Sequence, residues 1–487
     1  MVQDALYWAN QLKTKQVSFN EYVTHLEKKI ATLNPDLNAL VTFEKEEAIK
    51  QYHATPKIDE TPFSGVPIPL KMLGQAKKGW LNTSGSRLFR DVRSNKTNHF
   101  VQRLEAIGLV PIGQSTSPEF GFKNVTDATI YGDTRNPADL SRSAGGSSGG
   151  AAALVAAGIF PIAGASDGGG SIRIPASFTG LIGLKPTRGT MPVGPDGWRG
   201  WQGASISFGL TISMRDTKTL FYSMRGTETA APYQAPHAEW SQHEPSNKKL
   251  RIAYSTTSPV GSFVSKEAVQ AVDEAIHFLT EQGHEVFEID YPVDGEQLIR
   301  SYYQMNGAET AAMFENISTY LKRDLTINDM ELMTWGLYQY GKKLSAASYI
   351  HSLNLWDAAA VEMEQQFTDY DLFLSPTTAH VAPKIETDLQ SDAIRAKLAN
   401  IEFHSKKEAT EIIYDMFEKS LALSPYTQLA NLTGQPAISL PTFTTKEGLP
   451  LGIQFMAAKG REDLLLQVGY EFEHANRFHL PKAYLDK

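Results

Sequence analysis

Apolar side chains recur at helical spacing along residues 18–35. Val23, Leu26, Ile30 and Leu33 share one face of "SFNEYVTHLEKKIATLNP", the period of an amphipathic helix. Ser18 and Glu21 form a capping-box pattern at its start, and Pro35 predicts its end. From about Phe63 to Leu220 the pattern changes. Short apolar runs, "VPIPLKML", "GLVPIGQS" and "IFPIAGAS", alternate with Gly/Ser/Pro loops. Buried strands of an α/β sheet read this way, with function on the loops at their ends.

Residues 226–249 are polar and contain proline, which marks a connection. Beyond it "KLRIAYS" and "HEVFEID" flank a helical pattern with Val269, Val272, Ile276 and Leu279 on one face and Gly283 just past its end. That is a β-α-β unit returning to a sheet. Residues 295–415 are richer in helix formers and aromatics and predict a helical insertion. "SPYTQLANLTGQPAISLPTF" and "LPLGIQFMA" then restore strand-like runs. No period of 20–50 residues recurs, which argues against a solenoid.

Composition narrows the function classes. At 487 residues the chain is long enough for two or three average domains or one large α/β domain. A net charge of −8 argues against a nucleic-acid partner, because phosphate binding needs a basic surface. The absence of cysteine excludes disulfides, zinc-thiolate and iron–sulfur sites and a Cys nucleophile. "MVQDALYWANQLKTKQ" lacks the basic and apolar regions of a signal peptide. The most apolar segment, Ala151–Ser166, is broken by Gly158 and Pro161 and is too short to span a bilayer. The expectation is a cytoplasmic protein with no membrane partner.

Two serines stand in glycine-rich text: Ser147 in "GGSSGG" and Ser171 in "DGGGSIRIP", 24 residues apart. A serine nucleophile needs a base, and the carbonyl it attacks needs donors for its developing oxyanion. Gly168, Gly169 and Gly170 suit the second need, since glycine lets backbone N–H groups approach a substrate. Ile172–Ser177 could open a short helix there. The base has two candidates. Gly146–Gly150 satisfies G-x-S-x-G with Ser148 central, an elbow that would take His380, His404, His474 or His479. Lys71 ends an apolar run, where desolvation would lower its pKa toward 7–8.

The stretch "RNPADLSRSAGGSSGGAAALVAAGIFPIAGASDGGGSIRIPASFTGLIGLKPTRG" closely resembles the signature region of the amidase signature family. "GVPIPLK" upstream and "LANLTGQPAISLP" downstream resemble its lysine segment and its C-terminal return. The resemblance implies one α/β domain over 1–487, a central mixed β-sheet surrounded by helices. Residues 63–220 would be its core, 1–60 an N-terminal helical segment and 295–415 an insertion. It implies Ser171 as nucleophile, Ser147 on a cis peptide as proton relay and neutral Lys71 as ultimate base. Gly168, Gly169 and Gly170 would supply the oxyanion hole, with Asp167 and Arg173 holding the loop. The implied activity is hydrolysis of a small-molecule amide to an acid plus ammonia or amine, with no cofactor or metal; the sequence leaves the oligomeric state, monomer or homodimer, open.

There are departures. Met72 follows Lys71 where the family usually has Asp, "ASD" precedes the glycines where Gly-Thr-Asp is more usual, and Gly168 takes a position often held by Ile. The family also contains the amidase subunit of a tRNA-dependent amidotransferase; the Lys71–Met72 pair and "GPDGWRGWQGASISF" weigh against that member. Tyr131, Trp198 and Trp201 are candidate substrate contacts. Tyr302, Tyr303, Met313, Trp335 and Tyr338 could cover the site or pack as core.

Overall fold

The computed structural model describes residues 2–226, 228–236 and 248–485, so residues 227 and 237–247 of the expected connection lie outside the described residues. Its centre is a mixed eight-stranded sheet. Glu285–Glu288, Arg251–Tyr254 and Leu372–Pro376 run parallel at one side. Pro450–Met456, Ala437–Thr444, Ile182–Lys185, Ile206–Thr211 and Ala163–Asp167 follow, each antiparallel to its neighbour. Helices pack around this sheet, as the resemblance implies.

A smaller sheet orders Leu40–Phe43, Val110–Ser115 and Pro67–Lys71. Pro67–Lys71 is its edge strand, where Pro67 and Pro69 leave no ladder donor missing. Ala163–Asp167 is likewise an edge of the large sheet. Gln75 joins the two edges: its Oε1 accepts from Lys71 N at 2.8 Å and its Nε2 donates to Ala165 O at 2.9 Å. A Cβ on Gly164 would lie 2.2 Å from Gln75 Oε1, so the clasp needs glycine there.

The helix Gly149–Ala156 is buried on all sides, which its small residues permit. Cβ atoms on Gly149 and Gly150 would lie 2.4 Å from Thr126 Oγ1 and 2.3 Å from Thr116 Oγ1. These glycines serve close packing. They do not form a linker.

Three local expectations shift. The N-terminal helix runs Phe19–Leu37, with its capping box formed and Pro35 inside the last turn. Asn34 Oδ1 then accepts from Ala39 N and Leu40 N, leading the chain into a strand within the expected helical segment. In the helix Lys266–Glu281 the buried spine is Ala268, Ala271, Val272, Ala275, Phe278 and Leu279, so Val269 and Ile276 are only half-buried. The alanines, not counted as core by a large-residue pattern, rotate the buried face. Finally, residues 295–415 are not purely helical. Between Ala346–Asp369 and Asp392–Ala399 the run Leu372–Pro376 enters the large sheet between Arg251–Tyr254 and Pro450–Met456.

The long helix Gly295–Leu321 crosses Leu332–Gly341 where two glycines meet; a Cβ on Gly341 would lie 1.9 Å from Gly307 O. Gly341→Val is expected to destabilise the fold by about 1–3 kcal/mol through overpacking. The denaturant midpoint measures it, and an unchanged midpoint would refute the close crossing.

Candidate active site

Lys71 ends the edge strand Pro67–Lys71 with its side chain completely buried. Its Nζ lies 2.8 Å from Ser147 Oγ and 3.0 Å from Ser166 Oγ. Burial is the main influence on it and lowers its pKa to about 7, against an opposing pull from Asp167. The Gly146–Ser147 peptide is cis. On its far side Gly146 is pressed against Asn124 and Val125, where a Cβ would come within 2.6 Å of Val125 N.

The loop after Ala163–Asp167 is organised by one carboxylate. Asp167 Oδ1 accepts from Gly170 N at 2.7 Å and Oδ2 from Ile172 N at 3.2 Å. Arg173 donates to both oxygens, and Asn431 Nδ2 donates to Oδ1. Arg173 also reaches Gln454 Oε1 and Asn431 Oδ1, and is itself wholly buried. Burial alone would raise the Asp167 pKa, but the Arg173 charge and the donors hold it at about 2. Gly170 has φ +123°, and a Cβ there would lie 2.2 Å from Thr427 Oγ1.

The N–H groups of the three glycines expected at the oxyanion hole are not alike. Gly170 N–H is already engaged, donating to Asp167 Oδ1 at 2.7 Å. Among the described residues, no backbone acceptor is bonded to the N–H of Gly168, Gly169 or Ser171. Tyr302 donates to Gly168 O at 2.9 Å and Thr427 to Gly169 O at 2.8 Å, fixing those two peptide planes. A Cβ on Gly169 would meet Tyr302 OH at 2.6 Å, whereas one on Gly168 has nothing nearer than 3.6 Å. That room is consistent with the bulkier residue expected there in relatives.

Ser147, Ser166, Gly168, Gly169 and Ser171 line one cleft of about 90 Å³. Ser148 does not line it; its Oγ lies 3.2 Å from Ser166 O and 3.3 Å from Ser166 N. None of the four candidate histidines is bonded to it: His380 reaches Phe263 O, His404 lies by Glu408, the His474 ring is tilted against Tyr470 and His479 N donates to Pro441 O.

Of the candidate substrate contacts, Trp201 lines the cleft and Trp198 lines an adjoining hollow. Tyr131 lines neither. Its hydroxyl pairs with Thr83 Oγ1 at 2.7 Å and its carbonyl accepts from Asn38, which hold it away from the cleft. Tyr302 and Tyr303 line the cleft, and Met313 the hollow. Trp335 and Tyr338 pack in a helical core with Phe314. Met72 is buried, its sulfur 3.5 Å from Gln114 Nε2. Sequence reasoning missed Thr427, Asn431 and Gln75; only the position of the first two in the C-terminal return segment hinted at them.

An amidase family model matches residues 21–466. The chain belongs to the amidase family. It is 39% identical over 477 residues to a lipoamidase of Enterococcus faecalis, covering 98% of this chain and 64% of that protein. This chain therefore spans just under two thirds of that relative's length. It is 32% identical to a 6-aminohexanoate-cyclic-dimer hydrolase of Paenarthrobacter ureafaciens, over 97% of this chain and 94% of that one. A solved 6-aminohexanoate cyclic dimer hydrolase complexed with substrate superposes with a TM-score of 0.87 at 30% identity, over 99% of both chains. No helix among the described residues is long and apolar enough to cross a membrane.

In this member of the amidase family, Arg173→Met leaves the Asp167 carboxylate buried without its cation. A loss of about 3–5 kcal/mol is expected, read by denaturant unfolding at neutral pH. Because the folded Asp167 pKa lies below the ordinary value of 3.8, the group stabilises above about pH 4, and that stabilisation fades as pH falls toward 2.

Proposed function

We propose that the protein hydrolyses a carboxylic amide through an acyl-enzyme on Ser171, with Ser147 as proton relay and neutral Lys71 as base. The observation that carries this reading is the dry contact of Lys71 Nζ with Ser147 Oγ at 2.8 Å. A lysine in water is almost wholly protonated at neutral pH; one at about 7 is half neutral and can accept a proton.

In the first step Ser171 Oγ bonds to the carbonyl carbon. Its proton passes to Ser147 Oγ, and the Ser147 proton passes to Lys71 Nζ. The carbonyl oxygen becomes an oxyanion, held by backbone N–H groups of Gly168, Gly169 and Ser171. The proton then returns through Ser147 to the amide nitrogen, the C–N bond breaks, and ammonia or an amine leaves. Water repeats the sequence on the Ser171 ester and releases the acid. Every step is proton and acyl transfer, so the scheme calls for no metal or cofactor.

Labelling with a sulfonyl fluoride tests the nucleophile. Ser171→Ala is expected to abolish it; normal labelling of that variant with loss in Ser148→Ala would favour the elbow. Lys71→Ala is expected to lower kcat/KM by at least a thousandfold. In the unmodified enzyme the labelling rate should rise through about pH 7 as Lys71 loses its proton and then level off. A rate still climbing steeply at pH 10 would show an ordinary, solvated lysine.

A further inference from the structure

Three successive carbonyls of the loop leading to Ser171 are each held by a side chain from elsewhere in the chain. Asn431 Nδ2 donates to Asp167 O at 3.1 Å, the Tyr302 hydroxyl to Gly168 O at 2.9 Å and Thr427 Oγ1 to Gly169 O at 2.8 Å. Asn431 and Thr427 belong to the C-terminal return segment. Tyr302 comes from the long helix Gly295–Leu321, in the expected insertion.

The Gly168–Gly169 peptide is trans, and a trans peptide is planar with its C=O and N–H pointing in opposite directions. Holding Gly168 O therefore sets the direction of Gly169 N–H. The next peptide is held at both ends, by Thr427 on Gly169 O and by Asp167 on Gly170 N–H. Gly169 N–H has no backbone acceptor among the described residues, so its plane is held from the carbonyl end.

The tyrosine is itself firmly placed. Its neighbour Tyr303 stacks on Phe417 with centroids 4.3 Å apart, and Ser301 Oγ accepts from Trp356 Nε1 at 3.0 Å. Further along the helix, Glu309 Oε1 accepts from both Gln202 and Tyr349. Burial pushes the Tyr302 pKa upward, so its hydroxyl keeps the proton it donates. Gly169, unlike Gly170, is not in the left-handed region. The need for glycine there is spatial: the Tyr302 hydroxyl occupies the place of a side chain, 2.6 Å from a Cβ.

We propose that Tyr302 is a positioning residue of the oxyanion hole, through which the insertion helix aims Gly169 N–H into the cleft before substrate arrives. Donors fixed in advance cost no reorganisation when the oxyanion forms. This rests on Ser171 being the acylated residue.

Tyr302→Phe removes the hydroxyl and keeps the ring. With 4-nitroacetanilide, kcat should fall about ten- to a hundredfold, toward the cost of losing one oxyanion donor, and KM should change less than about twofold. Phenethyl trifluoromethyl ketone, whose adduct carries an oxyanion, should bind more weakly by the same factor. The alcohol made by reducing that ketone forms no adduct and should bind as before. Sulfonyl fluoride labelling should keep its midpoint at about pH 7, because Lys71 is untouched. Gly169→Ala reaches the same contact from the other side, so its loss and that of Tyr302→Phe should not add in the double variant. Unchanged kcat in Tyr302→Phe, equal weakening of ketone and alcohol, a displaced pH midpoint or additive losses would each overturn the proposal. A ketone adduct that persists in Ser171→Ala, read by fluorine NMR, would instead overturn the Ser171 reading.

Discussion

The Asp167–Arg173 pair is the interaction on which the site depends. Both side chains are wholly buried, and a charge placed there alone would be costly. The pair persists because nearly every lone pair and proton has a partner. Gly170 and Ile172 N–H, Asn431 and Gln454 complete it. Those partners come from the loop itself, from the helix Gln428–Thr433 and from the central strand Pro450–Met456. The glycine loop is thus anchored to the centre of the sheet and gains its geometry from long-range contacts. Its consequence is local: Asp167 takes the Gly170 N–H and leaves those of Gly168, Gly169 and Ser171 for other use.

The second constraint is dryness at Lys71. Its pKa falls because two sheet edges close over it, and the closure is specific. Gln75 spans from the lysine's own N–H to the carbonyl of Ala165, where Gly164 makes room. Asp167 opposes the shift, since its charge favours the ammonium form. Burial outweighs that pull. The ion pair and the buried lysine are therefore linked through Asp167, which anchors the loop and also favours the charged form of Lys71. A second buried lysine, Lys185, also sits at about 7, from burial and then from Arg173, but its Nζ donates to Pro186 O outside the cleft.

Much of this was legible along the chain. The β-α-β unit of residues 250–288, the strand ending at Lys71 and the C-terminal hairpin were visible because their apolar runs are short and bounded by turn residues. Ser147, Ser171 and the glycines stood out because few packed structures require so many glycines together. What escaped has a common cause. Leu372–Pro376 is five residues in a long helical context, too short to break the pattern. Gln75, Thr427 and Asn431 are ordinary polar residues whose role appears only when distant segments meet. Tyr131 was misjudged because nearness to Ser147 in sequence says nothing about direction: its hydroxyl turns to Thr83.

The glycine pairs around Ser147 show how packing and chemistry share the same residues. Gly146 has no space for a Cβ against Val125, Gly149 none against Thr126 and Gly150 none against Thr116. Each absence lets the segment approach a neighbouring backbone or hydroxyl, and the sum carries Ser147 to within reach of the lysine that ends a strand of the smaller sheet. Flexibility is what glycine contributes to an unfolded chain; in this fold it contributes proximity. The same principle separates Gly169 and Gly170 from Gly168. The first two are required by Tyr302 and Thr427, which hold the loop carbonyls, while a Cβ on Gly168 would make only ordinary contacts with Ser205 and Trp201, at 3.6 and 3.7 Å. A position that packing leaves this tolerant is one where a side chain can be added at the edge of the cleft without disturbing the loop that bears Ser171.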